Sequence, residues 1–126
     1  MPFTPGRPLA EAKADLFKAL AHPARIRVLE LLAEHERTVG ELAAGTGLEL
    51  SHLSQQVSVL RKAGVVDSRR VGNNVVCSLS DPQTAELLAV ARRMLTANLR
   101  HGQALLEALD GVEDAVALAD STRTAR

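Results

Sequence analysis

The sequence predicts a mainly α-helical domain with one two-stranded β-hairpin, and three observations predict it. Apolar residues recur at helical spacing along most of the chain, Gly and Pro cut it into short blocks, and one stretch is β-rich. That stretch is "VVDSRRVGNNVVCSL" at 65–79, with its two β-branched runs set around Gly72-Asn73-Asn74. At 126 residues the chain suits one small domain, and its 46% hydrophobic content supports a folded core over disorder.

The elements follow in order. Three prolines and Gly6 in the first eight residues predict a flexible arm, 1–8. Leu9 to Ala21 forms a first helix with Leu9, Leu16, Phe17 and Leu20 on one side. His22-Pro23 ends it and opens a second helix to about His35, with Pro23 at the first helical position and Ile26, Leu29, Leu32 and Ala33 inward. Thr38-Val-Gly-Glu41 is a capping-box pattern, so a short third helix starts there and runs to about Ala44. Gly45-Thr-Gly47 turns the chain into a fourth helix over 51–62, whose Leu53, Val57 and Leu60 lie at i, i+4 and i+7. The hairpin 65–79 comes next. After Asp81-Pro82 a fifth helical pattern runs to about Asp110, about 40 Å at 1.5 Å per residue, more than a small domain covers from within. The expected organisation is therefore an arm at 1–8, a domain at 9–111 and an acidic, mobile tail at 112–126.

Two short helices joined by a glycine-containing turn form a helix-turn-helix, and a hairpin directly after it makes a winged helix-turn-helix, α1-α2-α3-α4-β-β-α5. That fold presents its second motif helix to a DNA major groove. The face of 51–62 opposite its apolar stripe carries Ser51, His52, Gln55 and Ser58, flanked by Ser54 and Gln56. Gln matches the donor and acceptor edge of adenine, and Ser accepts either role. Lys62, Arg69 and Arg70 are assigned to phosphates or the minor groove.

Charge patterning agrees, although the net charge is zero. From Ser51 to Ser80 the chain holds Arg61, Lys62, Arg69 and Arg70 against Asp67, whereas Glu107, Asp110, Glu113, Asp114 and Asp120 outnumber Arg123 and Arg126 at the end. The 2% aromatic content, without Trp or Tyr, disfavours modules that stack bases or sugars. No apolar run approaches a membrane span and the first residues lack a signal-peptide core, so a cytoplasmic protein without a membrane partner is expected. An enzyme is not expected: no nucleophile, base and orienting group recur at usable spacing, and Gly45-x-Gly47 alone makes no phosphate loop.

The apolar stripes of the first and fifth helices exceed what one domain can cover. A homodimer through Leu9, Leu16, Phe17, Leu20, Leu88, Ala91, Leu95 and Leu99 is expected, its two-fold axis matched to a palindromic operator in double-stranded DNA. Neutral charge also supports a rival reading, a winged-helix protein-interaction module with little specific DNA binding. Salt-dependent DNA binding separates the two.

"LAHPARIRVLELL", "HLSQQVSVLRKAGVV" and "SRRVGNNVV", in this order and spacing, resemble the arsenic-repressor (ArsR/SmtB) family of bacterial regulators over about residues 14–100. The resemblance implies a homodimeric transcriptional regulator, usually a repressor released from its operator by an effector. It adds weight to Ser54 and Gln56 as DNA contacts, and it marks a departure at the wing tip, where Asn73 replaces the common Arg or Lys. The metal sites that the resemblance implies are not matched. Thr38 and Gly40 replace a Cys-x-Cys pair, and Asp81, Gln83, Met94 and Ala97 stand where Asp, His, His and Glu bind zinc. Asp81 is then read as a helix N-cap. His22 is read as structural, His35 as a helix-end residue, and His101 as the weak candidate for a divalent metal in a non-standard site. The lone Cys77 is read as a small buried residue, with a thiol switch as the minor alternative. The effector stays open among a metal, thiol oxidation, a small molecule or none, as do the operator sequence and the sign of regulation.

Overall fold

The computed structural model describes residues 8–124, with side-chain surroundings through residue 119, so the expected arm lies outside the described residues except for Pro8. The elements are α1 (Leu9–Leu20), α2 (Pro23–Glu34), β1 (Arg37–Thr38), α3 (Val39–Thr46), α4 (Leu50–Lys62), β2 (Val66–Val71), β3 (Asn74–Leu79) and α5 (Gln83–Thr124). They divide into one unit that runs to Leu88 and a second from Ala89 onward. The division therefore falls inside α5.

Local chemistry sets the helix ends in the first unit. His22 caps α2: its Nδ1 accepts from the Ala24 N–H at 3.1 Å, and Pro23 takes the first helical position. The capping box of α3 is complete, with Thr38 Oγ1 accepting from the Glu41 N–H and Glu41 Oε1 from the Thr38 N–H, both at 3.1 Å. These bonds, the Thr38 backbone N–H first, hold the Glu41 carboxyl below its usual range. The turn after α4 is a Schellman motif: the Val65 N–H reaches the Leu60 carbonyl and the Gly64 N–H the Arg61 carbonyl, with Gly64 at φ +77°. Val65 and Leu60 are both buried and join the core there. Asp81 acts as read, its carboxylate accepting from the Gln83 N–H at 2.8 Å where α5 begins.

The core gathers the inner stripes of these helices against the sheet. Val28, Leu29, Leu42, Leu53, Leu60, Val66 and Cys77 are fully buried. Each such leucine contributes roughly 1.5–3 kcal/mol by leaving water. The sheet has three antiparallel strands in the order β1-β3-β2, where the sequence predicted two. β1 is two residues long and carries too little alternation to be read, but Arg37 and Thr38 pair with Cys77 and Val76 and make β3 the central strand. Cys77 points inward with Val75 and Leu79, and burial pushes its thiol pKa up. Between β2 and β3 only Gly72 takes a positive φ, +64°, as a two-residue turn with Gly first requires.

Two expectations need correction. The inner side of α1 is Ala12, Leu16 and Leu20, and Leu20 lies in its own chain's core, leaving Leu9 and Phe17 outward. Residues four apart stack on one helix side, and Phe17 falls off that row. The last helix also does not stop near Asp110. Val112 and Val116 continue the apolar spacing past Gly111, and α5 extends through Thr124, so the expected tail is helical over 112–124. In the second unit Met94, Leu95, Leu99, Leu105, Leu106, Leu109, Val112 and Val116 are all exposed. No described helix is long and apolar enough to cross a membrane.

Candidate nucleic-acid interface

α4 turns two sides in opposite senses. Leu53, Val57 and Leu60 face inward, while Ser51, His52, Ser54 and Gln55 are exposed and Ser58 is half-buried. Ser51, Gln55, Ser58 and Lys62 follow i, i+4, i+7 and i+11 and form one outer stripe. Gln56 does not join them. It is 9% exposed, and its Oε1 accepts from Arg25 Nη1 at 3.1 Å, so the structure takes it off the exposed face on which the sequence placed it.

Beside the outer stripe runs a groove of about 480 Å³ between α4, the start of α3 and the wing. Its α4 wall is Leu50, Ser54, Ser58 and Arg61, and Ser68, Asn73, Asn74 and Val75 form the wing wall. Arg61 was missed from the sequence, although Ser54, Ser58 and Arg61 repeat at i, i+4 and i+7 and could have shown it. Its Nη1 donates to Ser68 Oγ at 3.1 Å, tying the helix to the base of the wing. Thr38 and Gly40, the positions of the unmatched thiolate pair, lie on the floor of this groove.

The adjacent arginines of β2 part company because successive strand residues face opposite sides of a sheet. Arg70 pairs in register with Val75, which lines the groove, and is exposed. Arg69 pairs with Val76, itself paired with Thr38, on the other face. There its guanidinium donates to both Glu36 oxygens, at 2.7 and 2.9 Å. The same bonds hold the Glu36 carboxyl below the usual glutamate range and raise the Arg69 pKa. Arg69, half exposed, is therefore ion-paired within the chain, on the sheet face opposite Arg70. The signal was out of reach of local patterning, since Glu36 is 33 residues away. Lys62 ends α4 exposed, and Asn73 is exposed at the wing turn.

The other histidines are dispersed. His35 Nδ1 lies 2.7 Å from the Glu36 carbonyl at the end of α2, and His101 is exposed in the second unit. Among the described residues no three His, Cys, Asp or Glu side chains gather as a metal site.

Comparison with known proteins accounts for this arrangement. The profile of the bacterial regulatory protein arsR family matches residues 22–68, from the α2 cap into β2. The HTH-type transcriptional regulator Rv0081 of Mycobacterium tuberculosis is 57% identical over 103 residues, 81% of this chain and 90% of that protein. The chain belongs to the arsR family. The crystal structure of Rv0081 superposes with a TM-score of 0.70 over 76% of this chain and 97% of that one. The homodimeric winged helix-turn-helix DNA-binding domain of Mb0332 from Mycobacterium bovis, solved by NMR, gives 0.68 at 30% identity, covering 78% and 95%. A biofilm growth-associated repressor of Agrobacterium fabrum is 44% identical over 60% of this chain and 64% of its own length. The match to this arsR family member spans all of α4 and stops within β2.

Proposed function

We propose that this arsR family protein is a sequence-specific transcriptional regulator, a repressor, that binds a palindromic operator as a homodimer. The observation that carries the proposal is the exposed polar stripe of α4 beside an open groove whose wing-side register holds the exposed Arg70. α4 enters the major groove, where Ser51, His52 and Gln55 meet base edges. Ser54, Ser58, Arg61, Lys62 and Arg70 carry the phosphates, with Asn73 at the minor groove. Gln56 and Arg69 are held by other residues of the chain and take no part in contact. Dimerisation uses Leu9 and Phe17 of α1 and Leu95 and Leu99 of α5, apolar side chains exposed in the single chain. The homodimeric Mycobacterium bovis domain supports that assembly, and the named Agrobacterium fabrum repressor supports the sign of regulation.

The test is a titration of the duplex upstream of the protein's own gene, over a range of salt and against a scrambled duplex of equal length. Each phosphate neutralised contributes about 0.9 to the slope of log K against log salt. A preference for the upstream duplex together with a steep slope is expected. Equal, salt-insensitive binding to both duplexes would leave the protein-interaction module as the better reading.

A further inference from the structure

Arg25, on α2, reaches two other helices. Its Nη1 donates to Gln56 Oε1 on the inner side of α4, and its Nη2 donates at 3.4 Å to the Lys18 carbonyl in the last turn of α1. Its Nε is buried with no hydrogen-bond partner. A buried guanidinium N–H left unpaired lowers stability, so a well-fitted apolar side chain would serve the core at least as well. What the arginine adds is direction. Its planar fork fixes two acceptors in a set geometry, and one of them is the amide of Gln56, buried beside Leu53, Val57 and Leu60. Those apolar contacts are non-directional, so the fork adds a directional restraint to their packing against rotation of α4 about its own axis. Rotation matters for reading: about 20° moves a side-chain end about 2 Å at the roughly 6 Å outer radius of a helix. Base-edge hydrogen bonds do not tolerate that displacement.

We infer that Arg25 is a positioning residue for DNA recognition: through Gln56 it sets the rotation of α4 that presents Ser51 and Gln55, and it ties that rotation to the C-terminal turn of α1. The inference rests on the proposal that α4 reads DNA. It also gives α1 a second role, because the helix that carries the outward Phe17 supplies the carbonyl that anchors the fork.

The test measures binding of the full chain to the upstream duplex and to the scrambled one, for wild type, Arg25→Ala, Gln56→Ala, the double variant and Gln56→Glu. Arg25→Ala and Gln56→Ala should each weaken the upstream duplex about tenfold and the scrambled one less than about twofold. The double variant should be no worse than either single one, since both remove the same link. Gln56→Glu keeps an acceptor for the guanidinium and should stay within about threefold of wild type. If Gln56 contacted bases itself, Gln56→Glu would bind worst, through repulsion by phosphates, and the inference would fall. Equal losses on both duplexes, or none, would overturn it as well. Should Arg25→Ala lose its folded circular dichroism signal, the two Gln56 variants decide alone. A wild type without preference for its upstream duplex overturns the DNA proposal and this inference together, whereas a preference undiminished from wild type in Arg25→Ala and Gln56→Ala overturns the inference only.

Discussion

α4 and the part of α5 beyond Leu88 are both amphipathic helices, yet they treat their apolar sides in opposite ways. In α4, Leu53 and Leu60 are 0% exposed, and the outer stripe of Ser51, Gln55 and Lys62 is open to solvent, with Leu50 and Val59 also exposed. In the second unit, Leu95 and Leu99 are 64% and 75% exposed, and the apolar stripe itself is on display. The same periodicity thus leaves a polar stripe exposed where the chain covers the apolar one and an apolar stripe exposed where it does not. Spacing predicts the helix, and the available neighbours decide its use.

The largest test of this contrast is truncation of matched leucines. Leu53→Ala should destabilise the first unit by about 2–5 kcal/mol in urea unfolding, because it opens a cavity in a closed core. With Leu95→Glu present to keep the chain monomeric, Leu99→Ala should change that midpoint little. A comparable loss at Leu99 in that monomer would mean that the second unit is covered by its own chain.

Leu95→Glu addresses association. A charge buried at the interface should turn the homodimer into monomers by light scattering and abolish binding to the upstream duplex with it. A variant that stays dimeric removes Leu95 from the interface.

On α4 the effects are smaller and separable. Gln55→Ala should weaken the upstream duplex by about 1–3 kcal/mol and leave the scrambled one nearly unchanged. Arg61→Ala and Arg70→Ala should weaken both duplexes and each lower the salt slope by about one. Arg69→Ala should leave the slope intact, because that guanidinium already serves Glu36. A lowered slope for Arg69→Ala would return it to the phosphate contacts.

These contrasts also mark what local sequence could convey. The His22-Pro23 start of α2, the Thr38–Glu41 box, the Asp81 cap and the hairpin around Gly72 were legible, since each is a bond between near neighbours in the chain. Partners 31 and 33 residues away were not: Arg25 takes Gln56 inward, and Glu36 takes Arg69 from the groove. A helical wheel places Gln56 beside Gln55 and is silent about which one α2 will hold. Strand alternation could have separated Arg69 from Arg70, but only with the register to Val75 and Val76 in hand. β1 was too short to read, and the helical pattern was ended near Asp110 although α5 runs on through Gly111.

The smallest effect concerns the Arg69 and Glu36 pair. Glu36 has a lowered carboxyl pKa in the folded chain, so the pair is intact above the ordinary glutamate range and is lost as pH falls through that lowered value. Carboxyl-carbon NMR should find Glu36 titrating below the ordinary glutamate range, and Arg69→Ala should return it upward. An unchanged Glu36 titration in Arg69→Ala would show that the ion pair does not set it.

Hydrogen exchange with and without the upstream duplex compares the two regions directly. DNA should slow exchange across α4, residues 50–62, and at the wing around 70–75, while 103–119 should exchange as in the free dimer. Protection confined to 103–119, with α4 unchanged, would contradict the claim that α4 is the recognition surface and α5 the association surface.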